Sequence, residues 1–253
     1  MTDNTHGLPC WYELTTPDPD RAGEFYGAVI GWSVAKAPME GFDYYIASEG
    51  GTMCAGMMAP QEDGMPSFWC TYFAVTDCDA TAAAVVADGG TQMVPPSDIP
   101  GTGRFALLTD PQGAVFGILQ PLPDGTGGAF DPGKPGHGAW HELMTSDPEA
   151  ALAFYGKHFG WEASTAMPMG EMGTYQLFKG AKGDMGGMMG LMQPGMPPAW
   201  LPYTGVASVD AAKAAIEKAG GKIANGPMEV PGGAWIVQCV DPLGAMFAVT
   251  GPK

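Results

Sequence analysis

The sequence contains a long internal repeat, and this feature limits the possible folds more than any other. Residues 11–32 and 140–161 are related by an offset of 129, and twelve of their 22 positions are identical. Further along the chain the offset becomes 131, as in the Asp-Pro-x-Gly-Ala-x-Phe segments at 110–116 and 241–247. Matches that keep their order over about a hundred residues indicate a tandem duplication, in which both copies have the same fold.

A segment rich in proline and glycine separates the two copies. It covers residues 121–136 and contains no run suited to the interior of a helix or strand. The full chain of 253 residues is long enough for two ordinary domains. We therefore predict one domain at 1–122, a linker at 123–136 and a second domain at 137–253.

Each copy shows the same order of predicted elements. A strand at 11–16, rich in aromatic and Thr residues, precedes Asp18-Pro19, which suits the N-terminus of a helix. Gly31 suits its C-terminus. The second half of the copy repeats the scheme, so each copy holds two βαβββ modules and the fold class is α+β. The remaining elements are predicted as strands at 32–34, 44–47, 53–58 and 68–75, a helix at 79–88, and strands at 91–94, 105–109 and 114–120.

Composition excludes several classes of partner. The net charge of −16 opposes binding to nucleic acid and to anionic membranes. There is no apolar run long enough to span a bilayer and no visible secretory signal. The five cysteines form no Cys-x-x-Cys pair, which indicates reduced thiols. We expect a cytoplasmic monomer or homodimer that binds a small-molecule ligand.

These motifs resemble a known superfamily. A βαβββ module with Trp-x-Glu-Leu…Asp…Phe-Tyr…Gly-Trp in its first half and Asp-Pro-x-Gly before its last strand is similar to the vicinal oxygen chelate superfamily. That superfamily includes glyoxalase I, extradiol dioxygenases, and the bleomycin and fosfomycin resistance proteins, and the resemblance is greatest to two-domain glyoxalase-like or hydroxylase-type members. It implies tandem glyoxalase-like domains, each with a curved, mostly antiparallel sheet that forms a cup and with helices outside.

The resemblance also implies where a metal would bind. Chelating members of the superfamily place a His on the first strand of a module and a Glu on the last strand. The matching positions here hold Trp11 and Trp140, and Gly117 and Ala248. A transition-metal site needs about three protein ligands. We therefore expect no metal site and no cofactor.

Two glutamates are the candidate catalytic residues. Strand alternation places Trp11 and Glu13 on the cup side of one copy, and Trp140 and Glu142 on the cup side of the other. A carboxylate next to Trp and apolar walls suits a general base. The alternative is a structural carboxylate that accepts hydrogen bonds from backbone N–H groups or a Tyr hydroxyl.

Recurring aromatic residues are candidate ligand-binding residues. They stand three positions apart on the strand that opens the second module of each copy, where they either stack a planar ligand or pack in the core. These residues are Trp69, Tyr72, Trp200 and Tyr203.

Arg104 distinguishes the two copies, because its counterpart is Trp235. Arg104 either binds an anionic ligand in the first cup or forms a surface salt bridge. We expect any polar-ligand site in the first copy, with Trp235 filling a drier second cup. The missing metal ligands favour a protein that binds a small molecule without catalysis; the alternative is a glyoxalase-like lyase or an oxygenase acting on a small carbonyl or aromatic compound.

Overall fold

The computed structural model describes residues 5–39, 41–62, 64–123, 127–193 and 195–253. Each copy of the repeat forms an eight-stranded sheet with two helices. The elements of the first copy are β1 Pro9–Thr15, α1 Pro19–Ile30, β2 Ser33–Lys36, β3 Tyr44–Glu49, β4 Thr52–Met58, β5 Phe68–Ala74, α2 Cys78–Ala87, β6 Thr91–Ile99, β7 Gly103–Thr109 and β8 Val115–Pro121. Those of the second are β9 Gly138–Thr145, α3 Pro148–Phe159, β10 Glu162–Pro168, a 3-10 turn at Gly170–Met172, β11 Thr174–Gly180, β12 Gly183–Gly190, β13 Ala199–Gly205, α4 Val209–Lys218, β14 Lys222–Glu229, β15 Trp235–Val240 and β16 Met246–Gly251.

The strand order confirms the predicted α+β fold. The first sheet runs β2-β3-β4-β1-β5-β8-β7-β6, and the second runs β10-β11-β12-β9-β13-β16-β15-β14. Within each module the first and last strands pair in parallel, as β1 with β4 and β5 with β8. The hairpin pairs are antiparallel. Each module is therefore a βαβββ unit, and each sheet is mixed but mostly antiparallel.

Helices α1 and α3 begin and end at the residues that the sequence indicates, whereas α2, predicted at 79–88, spans Cys78–Ala87. Asp18 accepts a hydrogen bond from the Arg21 backbone at 3.0 Å, and Asp147 accepts one from Ala150 at 3.0 Å. Gly31 ends α1 in the left-handed conformation with φ of 96°. In the part of the chain that the structure describes, no helix has the length and apolar character needed to cross a membrane.

Strand β6 is longer than predicted. The strand was predicted at 91–94, but it continues through Pro95 and Pro96 to Ile99. Its position at the edge of the sheet explains the difference, since an edge strand tolerates proline where its N–H would face away from the ladder.

The chain divides into two compact units whose limits differ from those of the repeats. Unit 1 contains Met1–Cys10, Thr71–Gly127 and His141–Trp200, and unit 2 contains Trp11–Cys70, Gly128–Trp140 and Leu201–Lys253. Each unit thus draws one βαβββ module from each copy. The proposed boundaries of the two sequence domains stay a prediction.

Each unit has a core of aromatic and aliphatic side chains. In unit 2, α1 packs against α4, and the rings of Phe25 and Phe247 meet edge to face at 5.7 Å. In unit 1, α2 contacts α3, and Phe73 lies 5.3 Å from Phe159. All five cysteines are free thiols, in agreement with the sequence; they are Cys10, Cys54, Cys70, Cys78 and Cys239.

The end of the predicted linker is held within unit 2. Trp32 donates its indole N–H to the Gly136 carbonyl at 2.7 Å, and Gly136 N–H donates to the Gly205 carbonyl at 2.8 Å. Burying a Trp N–H requires such a partner. The Gly-Trp that ends the repeated signature therefore fixes the chain where it enters β9.

Candidate functional site

The two faces of strand β1 have different surroundings. Tyr12 and Leu14 are buried in the core that contains α1, whereas Trp11 and Glu13 are on the opposite face and only half-buried. We call the face of each sheet opposite its helices the cup face. Strand alternation extends this assignment to Trp140 on β9, which is also half-buried.

Three side chains on this face of unit 2 form a directed chain of hydrogen bonds. Trp11 Nε1 donates to the Tyr44 hydroxyl at 3.0 Å, and the Tyr44 hydroxyl donates to Glu13 Oε2 at 3.0 Å. We call these residues the Glu13 cluster. The carboxylate is therefore oriented by a neighbouring donor. This matches the structural alternative of a carboxylate that accepts from a Tyr hydroxyl, and it also suits a positioned base.

Tyr44 reaches Glu13 because the neighbouring strand carries a glycine. Gly56 on β4 is opposite Glu13 in the register, and a Cβ at Gly56 would overlap the Tyr44 hydroxyl. Burial raises the pKa of Tyr44 well above its ordinary value, and the charge on Glu13 raises it further. The hydroxyl thus stays protonated and serves as a donor to the carboxylate.

The second copy places its glutamate in a more enclosed position. Glu142 is only 7% exposed and is opposite Gly187 on β12. The Tyr175 ring covers Gly187, as Tyr44 covers Gly56. His141 lies on the other face of β9 and is fully buried, as strand parity predicts.

The aromatic pairs on β5 and β13 divide between the two faces. Trp69 donates to the Tyr26 hydroxyl at 2.8 Å, and Trp200 donates to the Tyr155 hydroxyl at 3.0 Å. Tyr26 and Tyr155 are on helices, so Trp69 and Trp200 lie in the helix-side cores. Both tryptophans therefore follow the core-packing alternative. Tyr72 and Tyr203 stand three positions further along the same strands, so they lie on the cup faces.

The Tyr72 ring covers Gly117, the position at which the resemblance implies a metal-binding carboxylate. Tyr72 is opposite Gly117 in the parallel pairing of β5 with β8. A Cβ at Gly117 would overlap the Tyr72 ring. In the second copy Tyr203 is opposite Ala248, and its hydroxyl accepts a 2.7 Å hydrogen bond from Gln238 Nε2.

Arg104 is paired with carboxylates on the helix side of unit 1. Its Nε and Nη2 donate to Asp79 at 2.6 and 2.9 Å, and Nη1 donates to Asp98 at 2.9 Å. Asp79 is on α2, so this is the surface ion pair that the sequence also allowed. On β15, Trp235 shares a face with Val237 and Cys239, which are buried in the helix-side core of unit 2. The expectation that Trp235 fills the second cup is wrong, because it points to the other face.

The donors needed for the superfamily metal do not fit this chain. The four matching positions hold Trp11, Trp140, Gly117 and Ala248, and none of these side chains ligates a divalent ion. Among the described residues, no group of three or more His, Cys, Asp or Glu side chains comes together. The prediction that the cups bind no metal through these positions therefore rests on the chemistry of these side chains, and it remains to be measured.

Sequence reasoning missed the partners of the candidate residues. Tyr44 and Tyr175 stand at the repeat offset of 131, as do Gly56 and Gly187, so the repeat itself carried the signal. A tyrosine and a glycine that recur together on neighbouring strands indicate a ring lying over a backbone. Gln238 has no such recurrence, because its counterpart is Leu107.

Sheet order and module pairing define a glyoxalase-like protein of two domains. The family model for the Glyoxalase/Bleomycin resistance protein/Dioxygenase superfamily matches residues 10–118 and 136–249. The chain therefore belongs to this superfamily.

Relatives extend over nearly the whole chain. "Putative glyoxylase CFP32" of Mycobacterium tuberculosis is 36% identical over 97% of this chain and 95% of its own length. "Anthracycline biosynthesis protein DauV" of Streptomyces sp. is 30% identical over 98% of this chain and 94% of its own.

Solved structures share the fold. The Mn(II)-bound glyoxalase from Novosphingobium aromaticivorans has a TM-score of 0.65 at 18% identity, covering 98% of this chain and 82% of that one. The Y257F variant of homoprotocatechuate 2,3-dioxygenase from B. fuscum has a TM-score of 0.66 at 14% identity, covering 98% and 72%. At these identities the likeness concerns the fold alone.

Proposed function

We propose that this protein binds a small organic molecule on the cup faces of its sheets, without the metal ion that chelating members of the superfamily hold. The observation that carries the proposal is the Tyr72 ring lying over Gly117, where a ligating carboxylate would stand. Gly117 offers no side-chain donor, and an aromatic ring takes up the space beside it. An apolar wall with few polar groups is the usual lining of a small-molecule site.

Elemental analysis and a ligand screen test this function together. Protein purified without a chelator is expected to contain Zn, Ni, Fe and Mn well below one equivalent. A thermal-shift screen of metabolites is expected to return compounds that raise the melting temperature, because a ligand that binds only the folded state stabilises it. Near-stoichiometric metal would overturn the metal-free proposal, and a screen without hits would count against ligand binding.

The Glu13 cluster favours a second candidate, which is catalysis. A half-buried carboxylate that accepts from a tyrosine hydroxyl is suited to remove a proton from a small carbonyl or aromatic substrate. On this alternative the protein is a glyoxalase-like lyase or an oxygenase. Glutathione-dependent conversion of methylglyoxal by the purified protein, lost on adding a chelator, would favour the enzyme over the binding protein. It would also show that the activity requires a bound metal ion.

A further inference from the structure

Asparagine occurs at only two positions of the chain, and one of them precedes a glycine. Asn225 and Gly226 lie together on β14, whereas Asn4 is followed in the sequence by Thr5. An asparagine before glycine is the context most prone to deamidation, in which the backbone nitrogen of the following residue attacks the side-chain carbonyl carbon. Glycine favours this attack because it has no side chain to obstruct the approach.

The pairing of β14 is irregular around these two residues. β14 is an edge strand of the second sheet. Its register with β15 shifts twice, between Ile223 and Asn225 and again between Asn225 and Met228. A regular ladder holds a strand extended, whereas a bulge leaves residues outside the ladder. A bulged segment at the edge of a sheet therefore opens locally at a low cost in free energy.

Gly226 is required by the backbone geometry of the bulge. Its φ is 94°, in the left-handed region that favours glycine. A Cβ at this position would overlap the Ile236 carbonyl oxygen. The fold thus keeps a glycine directly after Asn225, and the reactive pair follows from the shape of the strand.

The side chain of Asn225 is exposed and lies at the cup face of unit 2. Its Nδ2 donates to Gln238 Oε1 at 3.2 Å, at the long end of the usual range for such bonds. On β15, Val237 and Cys239 are buried in the helix-side core, so Gln238 between them points to the cup face. Water, which deamidation consumes, therefore has access to the Asn225 amide.

The first copy has the same irregular edge without the reactive pair. Val94 is opposite Leu107 on β7, as Asn225 is opposite Gln238, and the register of β6 also shifts on both sides of Val94. The residue after Val94 is Pro95, whose nitrogen carries no hydrogen. The duplication therefore supplies a matched position at which the attack by a backbone N–H is not available.

We propose that Asn225 is a deamidation site in the folded protein, and that the reaction replaces a donor on the cup face of unit 2 with a carboxylate. The Gly226 nitrogen forms a bond to Asn225 Cγ and loses its proton, while the bond from Cγ to Nδ2 breaks and ammonia leaves. Water then opens the succinimide at either carbonyl and gives aspartate or isoaspartate. The product has no donor for Gln238 Oε1 and makes the net charge of −16 more negative.

Peptide mapping of the full chain tests this inference. The natural protein is incubated at mildly alkaline pH, once folded in buffer and once unfolded in guanidinium chloride. Mass spectrometry follows the tryptic peptide 223–253, in which fragment ions distinguish Asn225 from Gln238. Deamidation in the folded protein is expected to be at most about tenfold slower than in the unfolded chain, because only a local opening is needed. A reaction that required global unfolding would be slower by roughly a thousandfold or more.

Two references show whether the following glycine is responsible. Asn4 in the same sample should react more slowly than Asn225, and the asparagine introduced by Val94→Asn should persist because Pro95 follows it. A folded-state rate more than about tenfold below the unfolded rate would overturn the inference. Reaction at Asn4 or in Val94→Asn as fast as at Asn225 would also overturn it. The comparisons within the natural protein remain decisive if Val94→Asn fails to fold.

Discussion

Tyr26 donates its hydroxyl hydrogen to Asp241, 215 positions later in the chain, at 2.9 Å. Tyr26 belongs to the repeated Phe-Tyr of the first copy, and Asp241 opens the Asp-Pro-x-Gly turn of the second. The Tyr26 hydroxyl also accepts from Trp69 at 2.8 Å. A motif of one copy is therefore completed by a motif of the other, inside the core of unit 2.

The same arrangement occurs in unit 1 with the copies exchanged. Tyr155 of the second copy donates to Asp110 of the first at 3.0 Å and accepts from Trp200 at 3.0 Å. Burial raises the pKa of Asp110, and backbone donors that include Ala114 N–H oppose this change. Two buried carboxylates thus depend on a tyrosine hydroxyl, because an unsatisfied buried acceptor is costly.

Replacing Tyr26 by Phe is expected to lower the free energy of unfolding by about 1–3 kcal/mol, because Asp241 and the Trp69 indole each lose a partner in a buried site. Tyr155→Phe should cost a similar amount through Asp110 and Trp200. Urea denaturation followed by tryptophan fluorescence measures both changes. Tyr45→Phe removes a hydroxyl whose hydrogen bond to Asp20 is at the surface; it is the control and should stay within about 0.5 kcal/mol. Losses no larger than this control would show that the buried carboxylates do not need the hydroxyls.

Much of the local structure could be predicted from these motifs. Asp18 and Asp147 each precede a proline, and both cap a helix in the structure. Glu13 and Glu142 were placed on the cup faces by strand alternation, and the burial of Leu14 supports that parity. Such features depend on neighbouring residues, whose preferences are visible in the sequence.

Other features could not be predicted, for two physical reasons. The pairing of Tyr26 with Asp241 links distant segments, and no local sequence pattern indicates which copy supplies the aspartate. By contrast, the sequence was sufficient to predict that Trp69 and Tyr72 lie on opposite faces of the sheet, since residues three apart on a strand face opposite ways. Arg104 and Trp235 occupy equivalent positions on the helix side, so their difference says nothing about the cups.

Replacing Gly117 by Ala is expected to lower the free energy of unfolding by about 1–3 kcal/mol, because the added methyl group would overlap the Tyr72 ring. Combining Gly117→Ala with Tyr72→Ala should cost less than the sum of the two single changes, since the second removes the overlap. Gly190→Ala on β12 is the control, because a Cβ there meets no atom within 4 Å. Strict additivity in urea denaturation would show that the ring does not cover Gly117.

His141 is expected to make the protein less stable in mild acid. Burial lowers its pKa to about 4, and its Nδ1 donates to the Met185 carbonyl at 2.9 Å. Because the folded-state pKa is below the unfolded value of about 6.5, the neutral ring stabilises the fold above pH 6.5. That contribution declines as the pH falls from 6.5 towards 4, by up to about 3 kcal/mol.

The His141→Asn variant keeps a donor near the Met185 carbonyl but cannot titrate. Its free energy of unfolding should fall less than that of the natural protein between pH 6.5 and 4, as measured by urea denaturation at each pH. His158→Asn should show a smaller difference, because Asp88 partly offsets the lowering of the His158 pKa by burial. Parallel pH profiles for the natural protein and His141→Asn would contradict the prediction.

The two glutamates are expected to differ in function. Glu13 is half-buried and accepts from Tyr44, whereas Glu142 is only 7% exposed. A ligand reaches the first carboxylate more readily than the second. We therefore predict that Glu13→Gln, which keeps the shape and removes the charge, weakens binding of metabolites that the thermal-shift screen returns and that carry an amine or hydroxyl donor.

The expected loss for Glu13→Gln is about tenfold in affinity, since a hydrogen bond to a charged group is worth about 1.5–3 kcal/mol and the neutral amide retains part of it. Tyr44→Phe should weaken binding by a smaller factor, because the Glu13 carboxylate keeps its charge but loses the donor that orients it. Glu142→Gln is the matched control and should change stability more than affinity. Calorimetric titration of each variant with the same metabolite measures the affinities. Equal losses at Glu13 and Glu142, or a loss at Glu142 alone, would assign the carboxylate site to both copies or to the second.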